Sequence, residues 1–409
     1  GVTEYDRHTL TATMNLGPGE AFYSYGKTDY DHLLTVPVFA GFNVFANIAA
    51  EVETHELRYS GSFGDRLTYT AGLYARDAEV PFALTFVMDG TTIFDTVTTQ
   101  NNEVRAVFGE VEYRLSDAWS AALGLRYFEE ELDNFDTATL ISSEIDDDYL
   151  LPRFTLSYQP TDSSMFYASV AKGARSAVPN FTDAIELIEL FGLPVQYDLV
   201  LDADSIVTYE LGVKAVLAEG AWTIEAAAYY SDWEDLSTTV PVPGLGGLVY
   251  QVNTDGADIS GLDLSTTYTT GNLTLHAGLA FVDPEQKEDV PNTGMMKGDI
   301  LPNVADFMAN AHVRYEWPLT AGSFNGMVRL GFRHISERED LTFPGNLPGD
   351  STTMVNARLG IENDRLGVYL FGTNLTDEDG ALAGRQASSN FQATRAQPRT
   401  LGIELSFKY

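Results

Sequence analysis

The chain contains no cysteine, which excludes a disulfide framework and any thiolate metal site. It is short of basic residues: 24 Lys and Arg stand against 59 Asp and Glu, for a formal net charge of −35. Nucleic acid is disfavoured as a partner, because neutralising phosphates needs a basic surface. No apolar run reaches the length of about 18 residues that a transmembrane helix requires. What the chain has is alternation. In Thr400–Tyr409, Leu401, Ile403, Leu405, Phe407 and Tyr409 fall on one side, and Gly402, Glu404, Ser406 and Lys408 on the other. That is the period of a strand with one apolar and one polar face.

The same pattern recurs throughout. Trp119, Ala121, Leu123, Leu125 and Tyr127 alternate with Ser120, Ala122, Gly124 and Arg126; Tyr209, Leu211, Val213 and Ala215 alternate with Thr208, Glu210, Gly212 and Lys214. With the weaker runs at Phe166–Ala171, Ser260–Tyr268 and Val368–Asn374, the count reaches about 17 strands. A chain of 409 residues is unusual for one compact core, a difficulty that vanishes if the apolar faces meet lipid. Arg126, Arg153, Lys214, Arg314, Arg329, Arg333 and Arg358 all take polar-face positions. A basic side chain facing lipid at the midplane costs roughly 2–4 kcal/mol, so these placements predict an all-β, transmembrane antiparallel β-barrel with the seven residues facing its lumen. A propeller or large sandwich also alternates, but does not readily give so many long strands with aromatic ends.

Short turns are expected at Ser116-Asp117, Thr161–Ser164, Glu219-Gly220, Gly271-Asn272 and Asn363-Asp364, facing the periplasm. Long extracellular loops are expected at Glu130–Tyr149, Gly173–Ser205, Asp232–Asp255, Asp283–Asn303, Glu337–Ser351 and Thr376–Gln397, with a further long connection at Val80–Gln100. In the first, Asp146, Asp147 and Asp148 are candidate ligands for a hard cation such as calcium, against the plainer reading of a solvated acidic loop. Ile185–Phe191 has helical spacing and suits a local packing element or an apolar contact at the barrel mouth. Pro241–Gly247 lacks the Lys-Ser/Thr of a phosphate loop. His276 and His312 share a polar face but are too few for a metal site, and Glu210 and Glu225 are expected to meet lumen water or a plug. Nothing pairs a nucleophile with a base, and nothing marks a cofactor site, so no enzyme is expected.

Linked phrases in the middle and end of the chain resemble the TonB-dependent receptors of the Gram-negative outer membrane. They are Phe166-Tyr-Ala-Ser-Val-Ala-Lys-Gly-Ala-Arg-Ser176 followed by Asn180, Tyr209-Glu-Leu-Gly-Val-Lys214, Ala228-Tyr-Tyr-Ser-Asp-Trp233 and Val252-Asn253 leading to Gly261-Leu-Asp263. Leu301-Pro302 before Tyr315-Glu-Trp317, Gly372-Thr-Asn-Leu-Thr-Asp377 and Pro398-Arg-Thr-Leu-Gly402 continue the series. Asp263 replaces the usual Glu, and Tyr409 the usual terminal Phe. Neither the family's plug domain nor its TonB box is found. Residues 1–409 are therefore expected to be the C-terminal barrel portion, holding about 17 of about 22 strands, with the plug and first strands upstream of Gly1.

The resemblance implies uptake of a scarce ligand (ferric siderophore, haem, cobalamin or oligosaccharide) into the periplasm, energised by the TonB–ExbB–ExbD complex. It implies no cofactor. Expected partners are outer-membrane lipid and lipopolysaccharide, the small-molecule ligand, and the barrel-assembly machinery. Gly402, Leu405, Phe407 and Tyr409 resemble the C-terminal signal read by that machinery. Alternatives are a plugless passive channel and a non-transporting outer-membrane surface or assembly protein.

Overall fold

The computed structural model describes residues 2–39, 42–244, 248–319, 323–343, 345–384 and 393–407. Long strands come first: β1 (Val2–Leu16), β2 (Gly19–Phe39), β3 (Phe42–Phe63), β4 (Leu67–Met88), β5 (Thr91–Arg114), β6 (Trp119–Asp136), β7 (Ser142–Thr161) and β8 (Ser164–Arg175). A loop carrying β9 (Val178–Pro179), helix α1 (Thr182–Leu190) and β10 (Val200–Leu201) leads to β11 (Asp204–Leu217) and β12 (Trp222–Glu234). The β13 (Ser237–Pro241) and β14 (Val249–Asn253) hairpin precedes β15 (Ala257–Thr270), β16 (Leu273–Gln286), β17 (Phe307–Pro318), β18 (Asn325–Ile335), β19 (Thr352–Glu362), β20 (Leu366–Thr373) and β21 (Thr400–Phe407).

Among the described residues, seventeen strands join one antiparallel sheet in chain order, leaving out only β9, β10, β13 and β14, so the expected count of about 17 holds. Its register keeps the two faces separate from end to end. Leu57, Leu73, Val107, Tyr127 and Leu150 follow one another across β3 to β7. Ala168, Leu211, Ala228, Leu262, Phe281 and Phe307 do the same across β8 to β17. These apolar side chains point away from the protein, Leu211 with 66% and Leu123 with 61% of its surface exposed. A non-membrane protein rarely exposes a continuous apolar face of this size, and lipid accounts for it.

Aromatic rings mark the edges of that face. Trp119 packs on Tyr158 at 4.6 Å near the short turns, and Phe281 packs on Phe307 at 4.7 Å near the long connections. The eight steps from Trp119 to Tyr127 cover about 26 Å along the strand. Tilt brings this to about 20 Å, close to the apolar band of about 25 Å in membrane barrels.

Strands β2 to β7 continue far beyond the upper ring edge, which corrects two expectations. Val80–Gln100 and Glu130–Tyr149 are largely hairpin strand; β6 and β7 are joined by residues 137–141 alone. On the continuation of the apolar face, Glu53, Asp77, Glu103, Glu131 and Asp146 form one cross-strand row. Such a row is tolerable only in water, so it lies outside the lipid.

On the polar face, rings lie across glycines of neighbouring strands. A Cβ on Gly212 would come within 2.3 Å of the Tyr167 ring, on Gly261 within 2.1 Å of Tyr229, and on Gly402 within 2.5 Å of Phe371. Each ring fills the space that its glycine leaves open, the known aromatic rescue of strand glycines.

Candidate functional site: the polar wall and the loop cluster above it

The seven basic residues proposed for the polar wall lie on one face. Arg126 is opposite Phe108 and Leu151, Arg153 opposite Gly124 and Ala171, and Lys214 opposite Met165 and Glu225. Arg314, Arg329 and Arg358 form one row across β17, β18 and β19, and Arg333 faces Asn310 and Met354. Glu210 accepts a hydrogen bond from the Tyr167 hydroxyl at 2.6 Å. His276 and His312 stack at 4.8 Å, with the Thr267 hydroxyl 3.0 Å from His276 Nδ1. Tyr167, Lys214, Glu225, Asp263, His276 and Arg333 line a recess of about 500 Å³.

The acidic triplet does not form a metal site. Successive strand residues point to opposite faces, so Asp146 and Asp148 go to one side, opposite Glu131 and Glu129, and Asp147 to the other, opposite Glu130. Asp147 accepts a hydrogen bond from Tyr149 at 3.1 Å. Among the described residues, no three His, Asp or Glu side chains are gathered to hold a metal ion.

Above the wall, three connections pack into one cluster. Ala184 and Ile188 of α1 are buried against Val240, Val242 and Tyr250 of the β13–β14 hairpin and against Val290 and Met295. The helical spacing of Ile185–Phe191 therefore is a packing element, while Leu190 and Phe191 stay exposed at its end. Gly192, at φ +57°, ends the helix, and its N–H and that of Leu193 return to the Glu189 and Ile188 carbonyls.

Three asparagines from the phrases quoted above hold these connections. Asn180 Nδ2 donates to the Asp198 and Gln251 carbonyls, both at 2.9 Å, and its Oδ1 accepts from the Gln251 N–H at 2.9 Å. Asn253 Nδ2 donates to the Asp202 and Asp235 carbonyls at 3.0 and 2.7 Å. Asn374 Nδ2 donates to the Glu378 and Gln397 carbonyls at 2.8 and 2.7 Å. An amide that donates twice and accepts at once joins segments distant in sequence, a task aspartate cannot do.

The segment after β8 is also tied to the wall. Glu130, buried on the polar face, accepts from the Asn102 amide and the Ser176 hydroxyl, with Arg76 at 3.5 Å. Arg175 pairs with buried Asp204 and lies 4.9 Å from the Trp233 ring. Sequence reasoning missed Glu130, Asn102 and Ser176, because Glu130 meets partners 28 and 46 residues away in the chain, the second on a loop that folds back over its strand.

The 137–141 turn depends on one carboxylate. Burial alone would raise the pKa of Asp136, but the Thr139 N–H and the hydroxyls of Thr98, Thr139 and Thr96 bring it below the ordinary carboxylate value. Its contribution to stability is thus present above the ordinary pKa of about 3.9 and is lost as pH falls through the lower folded value. Asp136→Ala is expected to cost about 1–3 kcal/mol locally, by leaving buried hydroxyls unpaired. Faster amide exchange at Ala138 and Thr139 in the variant checks this, as does a lower protection factor (rate relative to the intrinsic rate at the same pH) in the parent at acid pH; unchanged protection speaks against it.

Of the proposed assembly-signal residues, Leu405 and Phe407 lie on the apolar face of β21, opposite Val368 and Leu366, and Gly402 lies under Phe371. Tyr409 is outside the described residues, as are residues 245–247 of the Pro241–Gly247 loop.

The model of the TonB dependent receptor-like β-barrel matches residues 2–375. Among solved structures, the chain is similar to the ferric yersiniabactin uptake receptor FyuA from Yersinia pestis, at 17% identity and TM-score 0.80, covering 98% of this chain and 60% of that one. It is similar to the ferric citrate transporter FecA in its unliganded form, at 17% identity and TM-score 0.76, covering 100% and 62%. The siderophore receptor PiuA from Acinetobacter baumannii matches at 17% identity and TM-score 0.74, covering 100% and 64%. The chain thus spans less than two thirds of the length of each of these structures. With the family model matching most of its length, the chain belongs to the TonB-dependent receptor-like β-barrel family.

Proposed function

We propose that this chain forms the barrel portion of an outer-membrane receptor that takes up a scarce small molecule into the periplasm with energy from TonB–ExbB–ExbD. The observation that carries the proposal is the two-faced sheet of seventeen strands, apolar outward and polar inward, with a packed loop cluster at one end. In this reading the seven basic residues face the lumen, a plug domain of the family's kind occupies it, and the loop cluster meets the ligand first. The family is one of transport receptors, not enzymes. The names of the similar structures, a ferric yersiniabactin uptake receptor, a ferric citrate transporter and a siderophore receptor, favour a ferric siderophore over haem, cobalamin or oligosaccharide.

Uptake of radioactive iron from a panel of ferric siderophores tests this, in the parent strain, a deletion strain and a strain lacking TonB. One chelate is expected to be lost in both mutants and restored by the gene. Equal uptake of every chelate in the deletion strain overturns the siderophore assignment. Parallel loss of haem, cobalamin or oligosaccharide uptake would name the ligand instead.

A further inference from the structure

We infer that the outward trough along β8, with Lys172 at its upper end, is a binding site for lipopolysaccharide. One acyl chain lies in the trough and one lipid phosphate sits on the Lys172 ammonium. The site depends on the outward face meeting lipid, and not on which solute the barrel takes up or on what fills its interior.

The trough follows from side-chain size. On the outward face of β8, Ala168 lies opposite Leu156 on β7 and Leu211 on β11, and Val170 lies opposite Phe154 and Tyr209. Short side chains on the middle strand, with longer ones on both neighbours, leave a channel of about 580 Å³. Phe154, Tyr209 and Leu211 stand exposed along its walls. An acyl chain lying there gains dispersion contacts on its flanks as well as beneath it, which a flat wall does not give.

The position of Lys172 fixes which leaflet is concerned. Phe166, whose ring lies 6.4 Å from that of Tyr158 near the short turns, marks the lower end of the apolar band on β8. Lys172 is six residues further, about 20 Å along the strand and about 15 Å across the membrane after tilt. In a band of about 20 Å this leaves it within about 5 Å of the edge nearer the long connections, the outer one in such barrels. A lysine there lays its stem along hydrocarbon and carries its ammonium into the headgroups. Tyr209 borders the same end, and its amphipathic ring suits that depth.

The charge of Lys172 is not neutralised by its surroundings. Lys27 and Arg105 also lie on the outward face, and both have carboxylate partners: Glu51 and Glu53 for Lys27, Asp77 and Glu103 for Arg105. Lys172 is exposed and, among the described residues, has no hydrogen-bond or ion-pair partner. The register places no acid beside it either. Val207 is opposite on β11, and the pairing of Arg153 with Ala171 sets Pro152 next to it on β7. Asp232, beyond Val207 in the same row, is taken by Lys287. Over β3 to β7 the outward face above the lipid carries the row of Glu53, Asp77, Glu103, Glu131 and Asp146, which repels phosphate. At β8 a phosphate meets an unopposed cation directly above an acyl-sized channel. Lipopolysaccharide occupies the outer leaflet, and its lipid A end joins acyl chains to phosphorylated sugars, the two groups that this site accommodates.

The test uses the complete protein in detergent, with lipid A as the probe in native mass spectrometry. A gel-mobility shift on boiling confirms that each variant is a folded barrel. Wild type is expected to retain one lipid A. Lys172→Gln is expected to weaken its binding about tenfold, equivalent to about 1.4 kcal/mol. Ala168→Phe, which fills the trough with a ring that lipid tolerates, should weaken it to a similar extent. Lys27→Gln should bind as wild type does, and lipid A stripped of its phosphates should bind wild type and Lys172→Gln alike. No retention by wild type, or equal retention by Lys172→Gln, overturns the site. So does weakening by Ala168→Phe alone, which would mean that the trough takes hydrocarbon without the phosphate. Phosphatidylethanolamine binding as tightly as lipid A overturns the choice of lipopolysaccharide.

Discussion

Leu123→Arg is expected to lower the stability of the membrane-inserted protein by about 2–4 kcal/mol, while Ala122→Arg changes it by no more than about 0.5 kcal/mol. The two positions are adjacent in β6 and differ in what they face. Leu123 is midway between Trp119 and Tyr127, opposite Val111 and Phe154, in the apolar band. Ala122 is opposite Glu112 and Thr155 on the polar face, where an arginine gains a carboxylate neighbour and keeps its water. Urea unfolding of both variants in lipid vesicles gives the difference directly. Equal destabilisation would mean that the two faces are not in different solvents, and the assignment of the apolar face to lipid would fail.

Glu130→Ala is expected to release the segment after β8 from the wall. The substitution strands the Asn102 amide and the Ser176 hydroxyl and leaves Arg76 without its nearest carboxylate. Breaking a buried ionic network costs roughly 3–5 kcal/mol. Arg76 is 37% exposed and can turn to water, which places the cost at the low end, about 3 kcal/mol. An opening that much easier raises protease cleavage between Arg175 and Val200 roughly a hundredfold, while the far strands keep their protection. An unchanged cleavage pattern would show that something other than Glu130 holds this segment.

The sequence pattern was clearest where lipid touches the chain. Leu156, Leu211 and Leu275 alternate with polar neighbours because one side of each strand meets hydrocarbon and the other water, and the strand count followed from this. Above the lipid both sides meet water, the alternation disappears, and Glu129–Asp136 and Glu144–Asp148 read as acidic loop although they are paired strands. That mistake also produced the metal candidates, since Asp146, Asp147 and Asp148 could converge only in a loop. The loop cluster was legible in part. The spacing of Ile185 and Ile188 gave the helix, but its partners Val240 and Tyr250 come from one other connection and Met295 from a second, and no local pattern marks such a meeting. Asn180, Asn253 and Asn374 were found through family phrases; their role as clamps needed coordinates.

The rings lying over Gly212, Gly261 and Gly402 settle an ambiguity that alternation leaves open. A strand displaced by two residues against its neighbour keeps every apolar side chain on the lipid side and every polar one inside, so hydrophobicity cannot tell the misaligned sheet from the correct one. The rings can. Displaced by two, Tyr167 would meet Glu210 or Lys214 in place of Gly212, and Phe371 would meet Thr400 or Glu404 in place of Gly402. Each pair therefore works as a key cut for one alignment. Distributed along the sheet, such keys let a barrel with a uniform greasy exterior assemble in a single registration.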